Sequence, residues 1–95
     1  AAETFENALA SIHAESKVII LRLARVPFID ATGLQTLMEI IEQFQRRGTK
    51  VLVCEANERL QRKLSRAGVT QLLEPHGLQP DFKTAVTTAR SLSEG

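Results

Sequence analysis

Asp30, Thr32 and Gly33 are the residues whose types and spacing suggest chemistry. They put a carboxylate, a hydroxyl and a glycine into one short run, Pro27-Phe28-Ile29-Asp30-Ala31-Thr32-Gly33-Leu34. The run lies between an apolar segment, Val18 to Leu23, and an amphipathic one, Leu34 to Phe44. That order reads as strand, loop, helix. At a helix start the backbone N–H groups are unsatisfied and the helix dipole adds partial positive charge. A hydroxyl there could take a phosphate, favourably placed at a helix N-terminus, so Thr32 is a candidate phosphorylation site. The plainer role for Thr32 is a capping hydroxyl. Thr32 and Gln35 fit a capping box, Asp30 is a competing N-cap, and the sequence leaves both open. Gly33 most simply permits close backbone packing, and it also suits an anion-binding helix start. Asp30 has the chemistry of a general base or metal ligand. No second carboxylate or histidine lies near it in sequence, so no catalytic residue is assigned. No GxGxxG or Walker pattern is present, so nucleotide binding would rest on loop geometry alone.

Arg59, Arg62, Lys63 and Arg66 recur at i, i+3, i+4 and i+7, which makes one basic stripe on a helix. The plain reading is a solvated face. The sharper reading is contact with acidic lipid headgroups or an acidic partner, where each charge contributes about 1 kcal/mol near such a surface. His13 and His76 have no ligand-like spacing, and no metal site is expected. Cys54 follows three strand hydrophobes and should pack as a small apolar residue.

The chain has 95 residues, which suits a single domain, and 43% of them are hydrophobic, enough for a packed core. Four phenylalanines are the only aromatics, which argues against a stacking platform for single-stranded nucleic acid. A net charge of +1 gives no global field toward nucleic acid. One cysteine excludes an internal disulfide and any zinc site built on several thiolates, and it points to a reducing compartment. No apolar run reaches the roughly 18 residues of a membrane span. Ala1 to Asn7 carries two glutamates and no basic residue, unlike a signal peptide.

The elements that must position these residues follow from periodicity. Ala2 to Ala14, with Phe5, Ala8, Leu9 and Ile12 in helical spacing, predicts an amphipathic helix. Val18 to Leu23 suits a strand covered on both faces. Leu34, Leu37, Met38, Ile41 and Phe44, widened by Ile40, form the apolar stripe of a second helix that Gly48 should stop. Val51 to Cys54 is a second buried strand, and the strand–helix–strand unit predicts a right-handed parallel crossover. Asn57 should cap a third helix ending at Gly68, with Leu60, Leu64 and Ala67 inward. Val69 to Leu73 reads as a short edge strand. Pro75, Gly77 and Pro80 break the chain, and Asp81 should cap a last helix with Phe82, Ala85, Val86 and Ala89 on one face. Ser91 to Gly95 is expected to fray. The fold class is α/β, a short, mostly parallel sheet with about four helices packed against it. Such sheets bind ligands at the carboxyl ends of strands, a position held by Asp30 to Gly33 after the first strand and Glu55 to Asn57 after the second.

At Ile29-Asp30-Ala31-Thr32-Gly33-Leu34 the sequence resembles the STAS domain, the family that unites anti-sigma-factor antagonists with the cytoplasmic tails of SulP-type sulfate and anion transporters. The similarity extends to the preceding strand, the turn and strand from Gly48 to Cys54, the helix ending in Ala67-Gly68-Val69, and the closing helix from Phe82 to Ala89. Two departures stand out. Family members open with strand structure before the first helix, so one or more N-terminal strands should be missing here, leaving a sheet edge open. In the phosphoswitch antagonists a serine follows the motif aspartate, and here that residue is Ala31, with no hydroxyl to phosphorylate. The resemblance therefore implies a non-enzymatic regulatory or protein-interaction module of a SulP-type transporter, at the cytoplasmic face of the membrane. Asp30, Ala31, Thr32, Gly33 and Leu34 would form its partner or ligand loop, and a nucleotide or anion could bind there. The implied partners are the transporter's membrane domain in cis, a regulatory protein, the membrane surface, or a second copy of the chain. The alternative is a free-standing anti-sigma-factor antagonist or related signalling subunit.

Overall fold

β1 (Val18–Arg22) alternates as its β-branched sequence demands, with Ile19 and Leu21 buried and Val18 and Ile20 half-buried. The computed structural model describes residues 17–94. The helix expected over Ala2 to Ala14, and the question of strands before it, lie outside the described residues. β2 (Lys50–Cys54) pairs with β1 in parallel, Val18 opposite Lys50 and Arg22 opposite Cys54. β3 (Leu78–Gln79) adds a third parallel strand on the other side of β2, Val53 opposite Leu78.

The central strand explains why its sequence is apolar throughout. Val51 and Val53 join Ile19, Leu21, Leu37, Ile41, Leu60 and Leu64 in one core. Leu52 and Cys54, of opposite parity, are also fully buried but lie outside that cluster. Their face of the sheet is the one left for α4 (Phe82–Glu94), which contacts β1, β2 and β3 and buries Ala85.

α1 (Ala31–Arg46) presents Gly33, Leu37 and Ile41 to the core, flanked by half-buried Leu34, Met38, Ile40 and Phe44. It stops at Gly48, whose φ of +83° lets Thr49 donate back to the Phe44 carbonyl at 2.9 Å. α2 (Glu58–Ala67) is capped by Asn57 and ended by Gly68 at φ +93°, as the sequence predicts. Asp81 likewise caps α4, accepting from Thr84 N–H at 2.7 Å.

Three expectations are corrected. Residues 69–73 are not an edge strand. Val69–Leu72 is a short helix, α3, because Val69 and Leu73 stand one helical turn apart and both bury against the core. The edge strand falls instead at Leu78–Gln79, within the segment expected only to break the chain. The final helix also continues to Glu94, where fraying was expected. Among the described residues, no helix is long and apolar enough to cross a membrane.

Candidate functional site

The loop between β1 and α1 is exposed at its tip and fastened at its base. Pro27, Phe28, Asp30, Ala31 and Thr32 are exposed, and Phe28 keeps 68% of its surface in solvent. Ile29 between them is buried in the core. Asp30 has an extended backbone, φ −89° and ψ 177°, and its carboxylate accepts the Gly33 N–H at 2.7 Å. Its carbonyl accepts the Leu34 N–H at 2.8 Å, the first bond of the helix. Asp30, not Thr32, is therefore the N-cap. Thr32 is an exposed residue inside the first turn, and the capping box does not form, because the Gln35 amide points along the helix to Glu39 at 3.4 Å. Gly33 is buried, and a Cβ there would stand 3.1 Å from both Asp30 Oδ1 and Ile29 Cγ1. Close packing, not unusual φ, is what favours glycine here.

Two side chains of the α2 segment hold the loop from the side. Asn57 caps α2 through Oδ1, 2.8 Å from Leu60 N, and donates its amide to the Pro27 carbonyl at 3.1 Å. Lys63 Nζ donates to the Ile29 carbonyl. One member of the basic stripe thus braces the loop. Arg59, Arg62 and Arg66 are exposed and have no carboxylate partner among the described residues.

A second cluster sits at the carboxyl ends of β1 and β2. Arg22 grips Glu55 with two bonds, Nε to Oε1 at 2.6 Å and Nη2 to Oε2 at 3.1 Å. Its guanidinium lies 4.0 Å from the centre of the Phe82 ring, a cation–π contact. Glu55 has φ +65°, a left-handed conformation that disfavours a side chain by roughly 1–2 kcal/mol. The paired bonds hold it there. The hydrogen bond from Arg22 keeps the Glu55 carboxyl below its ordinary range, and the same bond raises Arg22. Burial first, and the Glu55 charge second, push the neighbouring Cys54 thiol up to about 11, so it is protonated and unreactive at neutral pH. No group of three or more His, Cys, Asp or Glu residues among those described is arranged for a metal ion. An open cleft of about 580 Å³ lies at the amino ends of the strands, bordered by Gln45, Lys50, Leu73 and His76, and so at the far end of the sheet from Asp30.

The STAS domain family model matches residues 1–89. The chain belongs to the STAS domain family. No curated protein sequence matches it significantly. Among solved structures, it is 44% identical to the STAS domain of a SulP transporter from Vibrio cholerae, covering 98% of this chain and 73% of that one, with a TM-score of 0.83. A sulfate transporter family protein from Wolinella succinogenes is 35% identical, over 99% of this chain and 77% of that one, with a TM-score of 0.86.

In this STAS domain the motif residues Asp30 to Leu34 do share one corner, and α2 joins them there. Sequence reasoning missed four contributors. Phe28 was only one residue of the loop, and the signal that could have found it is Pro27, which rules out a continuing central strand just before it. The second bond of Asn57 and the inward reach of Lys63 join residues 30 and 34 positions apart, beyond any local pattern. The Arg22–Glu55–Phe82 cluster has a faint signal, a lone arginine closing an apolar strand and a glutamate directly after its partner strand.

Proposed function

We propose that this chain is the cytoplasmic regulatory and protein-interaction domain of a SulP-type sulfate or anion transporter, attached to a membrane domain and working as a docking surface. The observation that carries this reading is the 44% identity, over 98% of the chain, with a SulP transporter's STAS domain. Ala31 adds chemical support, because the residue after the motif aspartate offers no hydroxyl for a kinase-driven switch. In this reading the exposed face of Asp30, Ala31 and Thr32 meets a regulatory protein or the transporter core. Phosphate on Thr32 would add about −1.5 to −2 charge beside the Asp30 carboxylate.

A nucleotide or small anion at the same loop must displace Asp30, whose carboxylate already takes the Gly33 N–H. Calorimetric titration with GTP and ATP tests this mode. Heat that grows in an Asp30→Ala variant supports it, and absence of heat in both proteins removes it.

The reading as a whole is tested on the full reading frame of the parent gene. A series of apolar segments, each about 20 residues long, upstream of Ala1 is expected. A soluble parent with no such segments would instead make the chain a free-standing signalling subunit of the anti-sigma-factor antagonist type.

A further inference from the structure

Phe28 stands on a loop fastened to α2, the helix that carries the arginine stripe, and its ring is not buried in the core. The loop carrying Phe28 is pinned against α2 at two backbone carbonyls, Pro27 through Asn57 and Ile29 through Lys63. Arg59 lies one helical turn before Lys63, and Arg62 and Arg66 continue the same face. The result is an exposed aromatic ring on a braced tip, next to a helix with three exposed arginines that lack carboxylate partners among the described residues. An apolar ring beside unpaired cations complements a surface with an apolar interior and anionic headgroups.

We infer that Phe28 with Arg59, Arg62 and Arg66 forms a docking surface for an anionic lipid bilayer, the ring entering the headgroup region and the guanidiniums meeting phosphates. This rests on the reading above, which ties the domain to a membrane. Charge decides against the other nearby surface: cytoplasmic loops of membrane domains carry excess Lys and Arg, which repel this stripe, whereas the cytoplasmic leaflet is negative and attracts it. Lys63 is not counted among the lipid contacts, since its side chain is directed at the Ile29 carbonyl.

The test is co-sedimentation of the 95-residue chain with vesicles of phosphatidylcholine alone, and of phosphatidylcholine mixed with phosphatidylglycerol, at low and physiological salt. Binding to the anionic vesicles only, weakened by salt, is expected. Each of Arg59→Gln, Arg62→Gln and Arg66→Gln should lower the partition coefficient about five-fold. Phe28→Ser should lower it about ten-fold, and its high exposure leaves folding intact, checked by circular dichroism. Equal binding to neutral vesicles, no binding to anionic ones at low salt, or binding indifferent to all four substitutions would overturn the inference. So would retention on a polyglutamate peptide without retention on anionic vesicles, which would assign the stripe to an acidic protein. Any of these results leaves the reading-frame test untouched, so failure here is distinguishable from failure of the transporter reading.

Discussion

Replacing Gly33 by alanine should destabilise this domain, against the usual rule for helices. Alanine in place of glycine inside a helix ordinarily stabilises by about 1 kcal/mol. Here the added methyl would sit 3.1 Å from Asp30 Oδ1 and 3.1 Å from Ile29 Cγ1. The first is the atom that caps α1 through the N–H of Gly33 itself, and the second belongs to a core residue only 3% exposed. Moving the carboxylate aside weakens a cap worth about 1 kcal/mol. Moving Ile29 forces an overpacked core, at about 1–3 kcal/mol. The net effect is a loss of about 1–2 kcal/mol, which lowers the thermal midpoint of a domain this size by about 4–8 °C per kcal/mol. Urea and thermal unfolding, followed by helical circular dichroism, measure it. A double-mutant cycle with Asp30→Ala isolates the cause. With the carboxylate gone, only the Ile29 contact remains, so Gly33→Ala should cost less in that background. A Gly33→Ala variant more stable than the parent, or costs that simply add, would refute the close-packing explanation.

Three further outcomes follow from the same geometry. Asn57→Ala removes both a cap and the bond to Pro27 and should cost about 1–2 kcal/mol, whereas Asn57→Asp keeps the cap and loses only the donor, so it should cost less in the same unfolding assay. Cys54, pushed from 9.0 up to about 11, should react with iodoacetamide at least about 100-fold more slowly in the native chain than in urea, and equal rates would contradict its burial. The Glu55 carboxyl is held low by Arg22, so its contribution to stability is present above the unfolded value of 4.5 and is lost as pH falls through the lower folded value. Glu55→Gln should therefore flatten part of the acid limb of a stability–pH profile; Asp81, lowered by its bonds to Thr84, supplies another part, so some slope should remain.

Much of the fold was legible because local chemistry decides it. Asn57, Gly68 and Asp81 act at helix ends with their own neighbours, and each does what its residue type predicts. Val51 to Cys54 reads as buried because no polar residue interrupts it, and the structure covers it on both faces. The failures come where two local patterns compete or where distance enters. Val69 to Leu73 has two β-branched residues, Val69 and Thr70, and reads as a strand. Its burial spacing is that of one helical turn, and Gly68 redirects the chain into that turn. Of the two caps the sequence left open, Asp30 prevails over Thr32, with Ile29 in the core and the Gly33 N–H on the Asp30 carboxylate. The role of Lys63 was hidden in its membership of a periodic stripe. Four basic residues in helical register look equivalent in sequence, and only the position of the Ile29 carbonyl singles one out.

That distinction bears on how the loop can act. A switch needs a segment with two arrangements of similar free energy. Residues 27–30 are instead restrained at successive points: Asn57 on Pro27, Lys63 and the core on Ile29, and the Asp30 carboxylate on Gly33. Releasing the loop breaks three hydrogen bonds and withdraws a buried isoleucine. A tip held this way loses little conformational freedom on docking, which favours affinity from few contacts. The exposed groups beside the Asp30 cap, the Phe28 ring and the faces of Ala31 and Thr32, are suited to being contacted. Under the proposed reading, a partner at this corner would therefore meet residues 27–30 already held in place by Asn57, Lys63 and the Asp30 cap.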